Sequence, residues 1–272
     1  GGWKISGFKK FASLAGYCDY YTIVCTEVFE GQEPRHEDTM LFVVHKDAPG
    51  LTVNGDWDPL GMRGTNSRDL ILKDVFVTED DLLMPKGIFG KTLPNWPHMM
   101  ATLSPTYMGV AQGAYDFTLA YLQGRVPGQP PIDRRMYATK RVAVSKMYAR
   151  LANMRALWWQ AFSEAKGMPS KGEVMRMYAA QYNVMEGVQE ITALAIRTCG
   201  GQSMLKSLPL ERMYRDSRCG ALMLPYTSEI MEDYIGVLAL YEMNELDHAP
   251  GDEGGARNSL WRGDSGALRM LR

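Results

Sequence analysis

Three stretches of the sequence hold residue types that could grip an anionic or carbonyl-bearing ligand. Arg125 carries a planar guanidinium able to fork onto phosphate or ribose oxygens. Cys199-Gly200-Gly201 is a turn in which no glycine Cβ stands between a ligand and the backbone. Thr227-Ser228-Glu229 opens a helix, and the first N–H groups of a helix lack intrahelical partners. Each stretch also has a plainer reading. Arg125 can be a surface charge, and the Gly-Gly pair a left-handed helix C-cap. Thr227 can be an N-cap, with Glu229 balancing the helix dipole. The residues alone favour the plainer reading of each.

Metal chemistry is not indicated. Cys18, Cys25, Cys199 and Cys219 show no CxxC spacing and the histidines stand alone, so no zinc site is expected. The cysteines are too sparse for a disulfide scaffold and read as buried or free thiols in a reducing compartment, which makes a cytoplasmic location the expectation. Thirty basic against 31 acidic side chains leave a formal charge of −1. The one dense basic run, Arg134, Arg135, Lys140 and Arg141, reads as a solvated helix face, so no nucleic-acid partner is expected. No apolar run approaches the length of a membrane span. The chain opens Gly1-Gly2-Trp3 without a methionine, which suggests an N-terminal truncation.

Two kinds of element must position these residues. Residues 1–94 read as an antiparallel β-sheet or barrel. Tyr20–Thr26, Met40–Val44 and Leu70–Val77 are short β-branched and aromatic runs separated by turn chemistry, the last with partial alternation. Residues 95–248 read as an α-helical bundle of the four-helix type, making the chain an α+β multidomain protein. Met99, Leu103, Met108, Ala111, Tyr115, Thr118 and Leu122 share one helical face; Pro105 delays its start, and Gly109 and Gly113 are spaced to admit a second backbone. Ala143, Met147, Leu151, Met154, Trp158 and Ala161 mark a second helix. Val174, Met177, Gln181, Met185, Val188, Ile191 and Ala195 mark a third. Shorter helices are expected over 208–217 and 228–241. The methionine-rich faces read as adaptable core. Residues 249–272, rich in Gly, Arg, Asp and Ser, read as a disordered tail.

The order of local motifs adds a resemblance. Gly7-Phe8-Lys9-Lys10-Phe11-Ala12-Ser13 resembles the "G-x-K-x-W-I-T" strand of acyl-CoA dehydrogenases. Leu60-Gly61-Met62-Arg63-Gly64-Thr65-Asn66-Ser67 with Leu72–Val77 resembles their "G-x-R-(G/A)-(S/T)-x-(S/T)…F-x-D-V-x-V-P" signature, with Thr78 in place of the proline. Gly109–Ala114 through Arg125 is similar to the first bundle helix and its terminal arginine. Cys199-Gly200-Gly201 stands at the "Q-x-x-G-G" turn, Glu211–Asp216 at "E-R-x-x-R-D-A", and Thr227–Ile230 at "E-G-T-x-Q-I". The matches run in family order from Gly7 to Ile230 and leave out the family's N-terminal helical domain and the first part of its β-domain.

The resemblance implies an FAD flavoprotein. It carries Phe11 and Ser13 to the flavin ring, Arg125 to FAD across a subunit interface, and Gly200, Gly201, Thr227 and Glu229 to cofactor contacts. It implies α,β-dehydrogenation of an acyl-CoA, a role in fatty acid oxidation, an electron-acceptor flavoprotein, and a homodimer or homotetramer or a heteromer with a homologue. Two departures bear on chemistry. Where the family places its glutamate base, two residues before Thr227, this chain has Pro225, with Leu224 next to it. The alternative position, near the start of the first bundle helix, reads His98-Met99-Met100-Ala101. No catalytic residue is assigned. A non-catalytic partner subunit, or an FAD- or FMN-dependent monooxygenase with His98 over the flavin, stands beside the dehydrogenase reading. Gly128 and Arg197 replace the family's phenylalanine and glutamine near the cofactor.

Overall fold

The computed structural model describes residues 1–29, 31–32, 34–89, 92, 97–223 and 227–241. The expected tail over 249–272 lies outside these residues, as do Trp96, Leu224 and Pro225. The described chain divides into two compact units, Gly1–Pro94 and one beginning at Asn95.

The first unit is built from six strands: β1 (Trp3–Ala12), β2 (Tyr20–Thr26), β3 (Thr39–His45), β4 (Leu51–Asn54), β5 (Arg68–Val77) and β6 (Leu82–Met84). They form two antiparallel sheets, ordered β1-β5-β4 and β2-β3-β6. One buried cluster is shared by both: Leu70, Leu72, Val75 and Val77 from β5 meet Tyr21, Ile23, Phe42 and Val44 from β2 and β3. The partial alternation of β5 has a structural cause. Leu70 and Leu72 face the core, the strand slips by one residue at Lys73-Asp74, and Val75 and Val77 then face it as well. Asp74 takes a φ of 51° there, and its N–H donates to Ser6 Oγ at 2.9 Å. Thr78 follows, and its N–H donates to Asp81 Oδ2 at 2.8 Å, a bond that a proline at this position could not make. β4 and β6, at four and three residues, are too short to show a period in the sequence.

The second unit holds five α-helices among the described residues: α1 (Ser104–Leu122), α2 (Ala138–Ser163), α3 (Lys171–Cys199), α4 (Leu210–Cys219) and α5 (Ser228–Leu240). α3 is the central helix and packs against each of the other four. Every residue named above for its apolar face is buried. Its N-terminus is fixed by a capping box in which Ser170 and Glu173 exchange side-chain and backbone hydrogen bonds. Met147, Leu151, Met154 and Ala161 of α2 face inward as the spacing predicts, with Trp158 half-buried.

α1 departs from expectation. Pro97–Leu103 is a 3-10 turn, so the helical phase does not carry from Met99, and Leu103 is exposed. The buried face is Ser104, Tyr107, Ala111, Ala114, Thr118, Tyr121 and Leu122, so Ala111, Thr118 and Leu122 of the expected face are buried while Met108 and Tyr115 are only half-buried. Among the described residues no second backbone closes on Gly109 or Gly113. A Cβ on Gly109 would meet open space, and one on Gly113 would meet the Met213 side chain at 3.2 Å. Close packing occurs at Gly187 and Gly220 instead, where a Cβ would come within 2.6 Å of Met154 Sδ and 2.5 Å of Met185 Sδ.

Candidate functional site

Phe11 and Ser13 lie at a β-bulge. Between the Lys9–Leu70 and Ala12–Arg68 pairs, β1 holds one residue more than β5, and Phe11 takes a φ of 58° there. That left-handed conformation turns the phenyl ring outward, and 66% of Phe11 is exposed. The ring is steadied edge-on by Trp57, with centroids 5.9 Å apart. Trp57 Nε1 in turn donates to the Met62 carbonyl at 3.2 Å. Ser13 Oγ lies 3.0 Å from Ser67 Oγ, and Ser67 Oγ lies 2.8 Å from Thr65 Oγ1. Leu14 closes the bulge through its N–H to the Thr65 carbonyl at 2.8 Å. The two motif segments, Gly7–Ser13 and Leu60–Ser67, are thus one structure. Four non-glycine residues in it, Phe11, Leu14, Met62 and Asn66, have positive φ. A left-handed backbone at a leucine or a phenylalanine costs on the order of 1–2 kcal/mol, and such concentrations of strain are typical of ligand sites.

Arg125 and Gly200-Gly201 come together at one end of the bundle. α1 closes at Gly124, with φ 64°, where a Cβ would lie 2.7 Å from the Pro131 carbonyl carbon, so only glycine fits. Arg125 follows, exposed, its backbone N–H bonded to the Ala120 carbonyl and its guanidinium without a partner among the described residues. One turn back, Tyr121 donates to Gln202 Oε1 at 3.0 Å, tying this end of α1 to the Gly200-Gly201 turn. Lys140 at the start of α2 donates to the Thr198 carbonyl and completes the ring of contacts. Gly200 does not adopt the left-handed cap conformation. Its φ of 85° and ψ of −165° lie in a region open to glycine alone, and nothing lies within 4 Å of a Cβ placed on Gly200 or Gly201. The backbone there is bare to an incoming group.

Thr227 and Glu229 form a third group. Thr227 is the N-cap of α5, accepting from the Ile230 N–H at 3.4 Å. The Glu229 carboxylate is exposed and is held below the usual range, first by its own backbone N–H and then by the Thr227 hydroxyl. Ser228 donates to Glu186 Oε1 at 2.6 Å, which places this helix start beside the middle of α3. From Glu186 to Gly200 α3 rises about 20 Å, so one copy of the unit does not bring Thr227 to the Gly-Gly turn.

His98 is enclosed within the helical unit. Its ring stands edge-on to Phe162, with centroids 6.0 Å apart, and among the described residues neither ring nitrogen has a partner in good hydrogen-bond geometry, the Ala161 backbone making only a weak polar contact. Burial pushes the imidazole below the ordinary histidine range; the Ala161 backbone, Glu173 and Glu164 oppose that shift more weakly. No group of three or more His, Cys, Asp or Glu able to hold a metal ion occurs among the described residues, and no described helix is long and apolar enough to cross a membrane. Trp57, Gln202 and Gly124 escaped the sequence reading, because a side chain that braces a neighbour leaves no period.

Residues 1–75 match the acyl-CoA dehydrogenase middle domain, and residues 98–237 match the acyl-CoA dehydrogenase C-terminal domain. The chain belongs to the acyl-CoA dehydrogenase family. This is a family of flavoprotein oxidoreductases with a helical C-terminal domain, and the order of motifs along the chain is the family's own. Among its relatives, L-evernosamine nitrososynthase of Micromonospora sp. is 31% identical over 265 residues, covering 88% of this chain and 58% of that protein. Cyclohexane-1-carbonyl-CoA dehydrogenase of Geobacter metallireducens is 26% identical over 220 residues, covering 79% of this chain and 54% of that protein. The solved structure of KijD3 in complex with FMN and dTDP-3-amino-2,3,6-trideoxy-4-keto-3-methyl-D-glucose superposes with a TM-score of 0.72 at 28% identity, covering 88% of this chain and 60% of that one. The chain therefore spans a little over half the length of the relatives it matches.

The family's cofactor can be tested against these residues. A flavin needs a flat apolar surface for its ring, cations or free N–H groups for its phosphate, and backbone without side chains where it passes closely. In the first unit Phe11 offers the first; in the second unit Arg125 offers the second and Gly200-Gly201 the third. Taken by itself, each unit holds residue types that suit part of a flavin.

Proposed function

We propose that this chain is the flavin-holding part of an oxidoreductase that does not draw its base from a carboxylate near Thr227. Phe11 and Ser13 face the ring, Arg125 takes phosphate or ribose oxygens, and Gly200 and Gly201 let the cofactor lie against the backbone. When bound, the flavin supplies the capacity to accept and pass on electrons. One observation carries the chemical part of the reading. A base for α-proton abstraction must be desolvated and raised in pKa, yet Glu229 is exposed and held acidic by its own N–H and the Thr227 hydroxyl. Position 225 is proline and lies outside the described residues. The reading this favours is a flavin-dependent oxidation other than α,β-dehydrogenation, such as a flavin monooxygenase on this fold would perform, and its further support is the 31% identity to a protein named a nitrososynthase.

A second reading is α,β-dehydrogenation of an acyl-CoA through FAD, with electrons leaving to an acceptor flavoprotein. The motif order favours it, and the missing carboxylate must then come from elsewhere in the whole protein or from a partner subunit. Arg125 and Gly200-Gly201 at one end of the bundle, away from Thr227, suit a self-associating protein in which two copies share each cofactor.

The test is reconstitution with FAD and with FMN separately, gel filtration and a visible spectrum. Retention of one flavin is expected, weakened roughly tenfold by Arg125→Ala, the worth of one charge-assisted bond. Oxygen uptake by the reduced protein, with no anaerobic bleaching by a panel of acyl-CoA thioesters, supports the first reading. Bleaching overturns it in favour of the second, and failure to retain either flavin sinks both.

A further inference from the structure

The hydroxyl groups beneath Ser13 form a chain whose direction can be worked out. Three oxygen–oxygen contacts run in series: Thr65 Oγ1 to the Met62 carbonyl at 2.8 Å, Thr65 Oγ1 to Ser67 Oγ at 2.8 Å, and Ser67 Oγ to Ser13 Oγ at 3.0 Å. Two oxygens this close repel unless a proton lies between them. Each hydroxyl has one proton to give, and a carbonyl has none. The Met62 contact must therefore hold the Thr65 proton. The Thr65–Ser67 contact must then hold the Ser67 proton, and the Ser67–Ser13 contact the proton of Ser13. Three contacts consume three protons.

The start of the chain is fixed by its surroundings. The Met62 carbonyl is aimed by a left-handed backbone of φ 54° and also receives Trp57 Nε1 at 3.2 Å and the Thr65 N–H at 3.1 Å. Ser67 is only 6% exposed, so water does not compete for its hydroxyl. Ser13, at the outer end, is exposed.

We propose that Thr65 and Ser67 are positioning residues that turn Ser13 into an acceptor-only hydroxyl, so that the site favours the ligand state presenting an N–H or O–H donor to it. Resting on the flavin reading above, that state is the reduced, protonated flavin. The relay then raises the reduction potential of the bound cofactor. Thr65→Val removes the sink for the Ser67 proton. Ser67 then donates to Ser13, and Ser13 is free to donate outward to an oxidised flavin. Thr65→Ser keeps the hydroxyl and the direction.

The experiment has two parts. In the chain without cofactor, the Ser67 hydroxyl proton is located by NMR through its cross-relaxation partners. Proximity to the Thr65 side chain is expected in the wild type and proximity to Ser13 in Thr65→Val; proximity to Ser13 in the wild type overturns the proposal. In the flavin-loaded chain, the midpoint potential is expected to fall in Thr65→Val by about a tenfold change in the oxidised-to-reduced ratio, about 30 mV for a two-electron couple. Thr65→Ser should restore it, which a merely structural role for Thr65 does not predict. Retained flavin with an unmoved potential overturns the relay alone. A wild-type chain that retains no flavin overturns the flavin reading and the ligand assigned here with it.

Discussion

The bulge around Phe11 and the middle of α3 solve opposite problems with the same chain. In α3 local propensity, apolar spacing, capping and burial agree: Val184, Val188 and Ala195 have no exposed surface, and Thr192 satisfies its hydroxyl within the bundle. Around the bulge those rules are broken together. An aromatic residue and a leucine stand in left-handed backbone, both exposed, braced by a tryptophan and a hydroxyl chain. Structure that obeys every local rule serves stability. Structure that breaks several at one place, and is braced to do so, is where a ligand is expected.

Core deletion should expose the difference most sharply. Ile191→Ala removes a side chain 1% exposed at the centre of α3 and should cost about 2–5 kcal/mol in denaturant unfolding of the chain. A loss below about 1 kcal/mol would mean that α3 is not the close-packed centre described above. Next in size is His98, which with Ser104 and Trp158 is among the bundle residues whose buried polar atoms are left unpaired. Among the described residues both its nitrogens are buried without a partner in good hydrogen-bond geometry, so His98→Leu should stabilise the chain by about 1 kcal/mol at neutral pH. The sign of the pH effect follows from the lowered pKa. Unfolded His98 takes a proton near pH 6.5 while the folded residue resists it, so wild-type stability falls as the pH drops below about 6.5. His98→Leu should flatten that fall between pH 7 and 5, and an unchanged slope would place the dependence on other groups.

At the bulge the expectation reverses. Phe11→Gly deletes an aromatic side chain, yet the relief of left-handed strain roughly offsets the lost contact with Trp57. Unfolding free energy should change by less than about 1 kcal/mol, while flavin retention falls. A stability loss as large as that of Ile191→Ala would show that Phe11 belongs to the core.

The same contrast decides what was legible in the sequence. The faces of α2 and α3 could be read because burial repeats with the helical period, and β2 could be read from Tyr20 to Thr26 because its residues are β-branched and aromatic. The face of α1 is legible only in part: Ala111, Thr118 and Leu122 are buried as their spacing predicts, but the 3-10 turn before Ser104 breaks the phase from Met99 and Leu103, a break that no apolar spacing records. The two bulges of the β1–β5 pair were invisible for a related reason: each inserts one residue, and the pattern shows only weakened alternation. Phe11, Ser13, Arg125, Gly200, Gly201, Thr227 and Glu229 were chosen by resemblance. Which of the bundle residues sit together, and which lie about half the length of α3 apart, is a matter of packing that sequence order does not encode.

The smallest effect belongs to a surface device that follows the rules. Glu173 closes the capping box of α3, accepting from Ser170 Oγ at 2.9 Å and from the Ser170 N–H at 2.7 Å, and it pairs with Lys166 at 2.8 Å. The Lys166 hydrogen bond first, and the Ser170 bonds after it, hold the carboxyl at about 2. A depressed carboxylate contributes stability that is present above its unfolded pKa, near 4.3, and is lost as the pH falls through its folded value. Glu173→Gln keeps the shape of the box but removes the charge, so its melting temperature should lie slightly below that of the wild type at pH 7. The two melting curves should converge between pH 4.3 and about 2, where the wild type becomes neutral too. A gap that persists below pH 2 would assign the effect to the geometry of the box rather than to its charge.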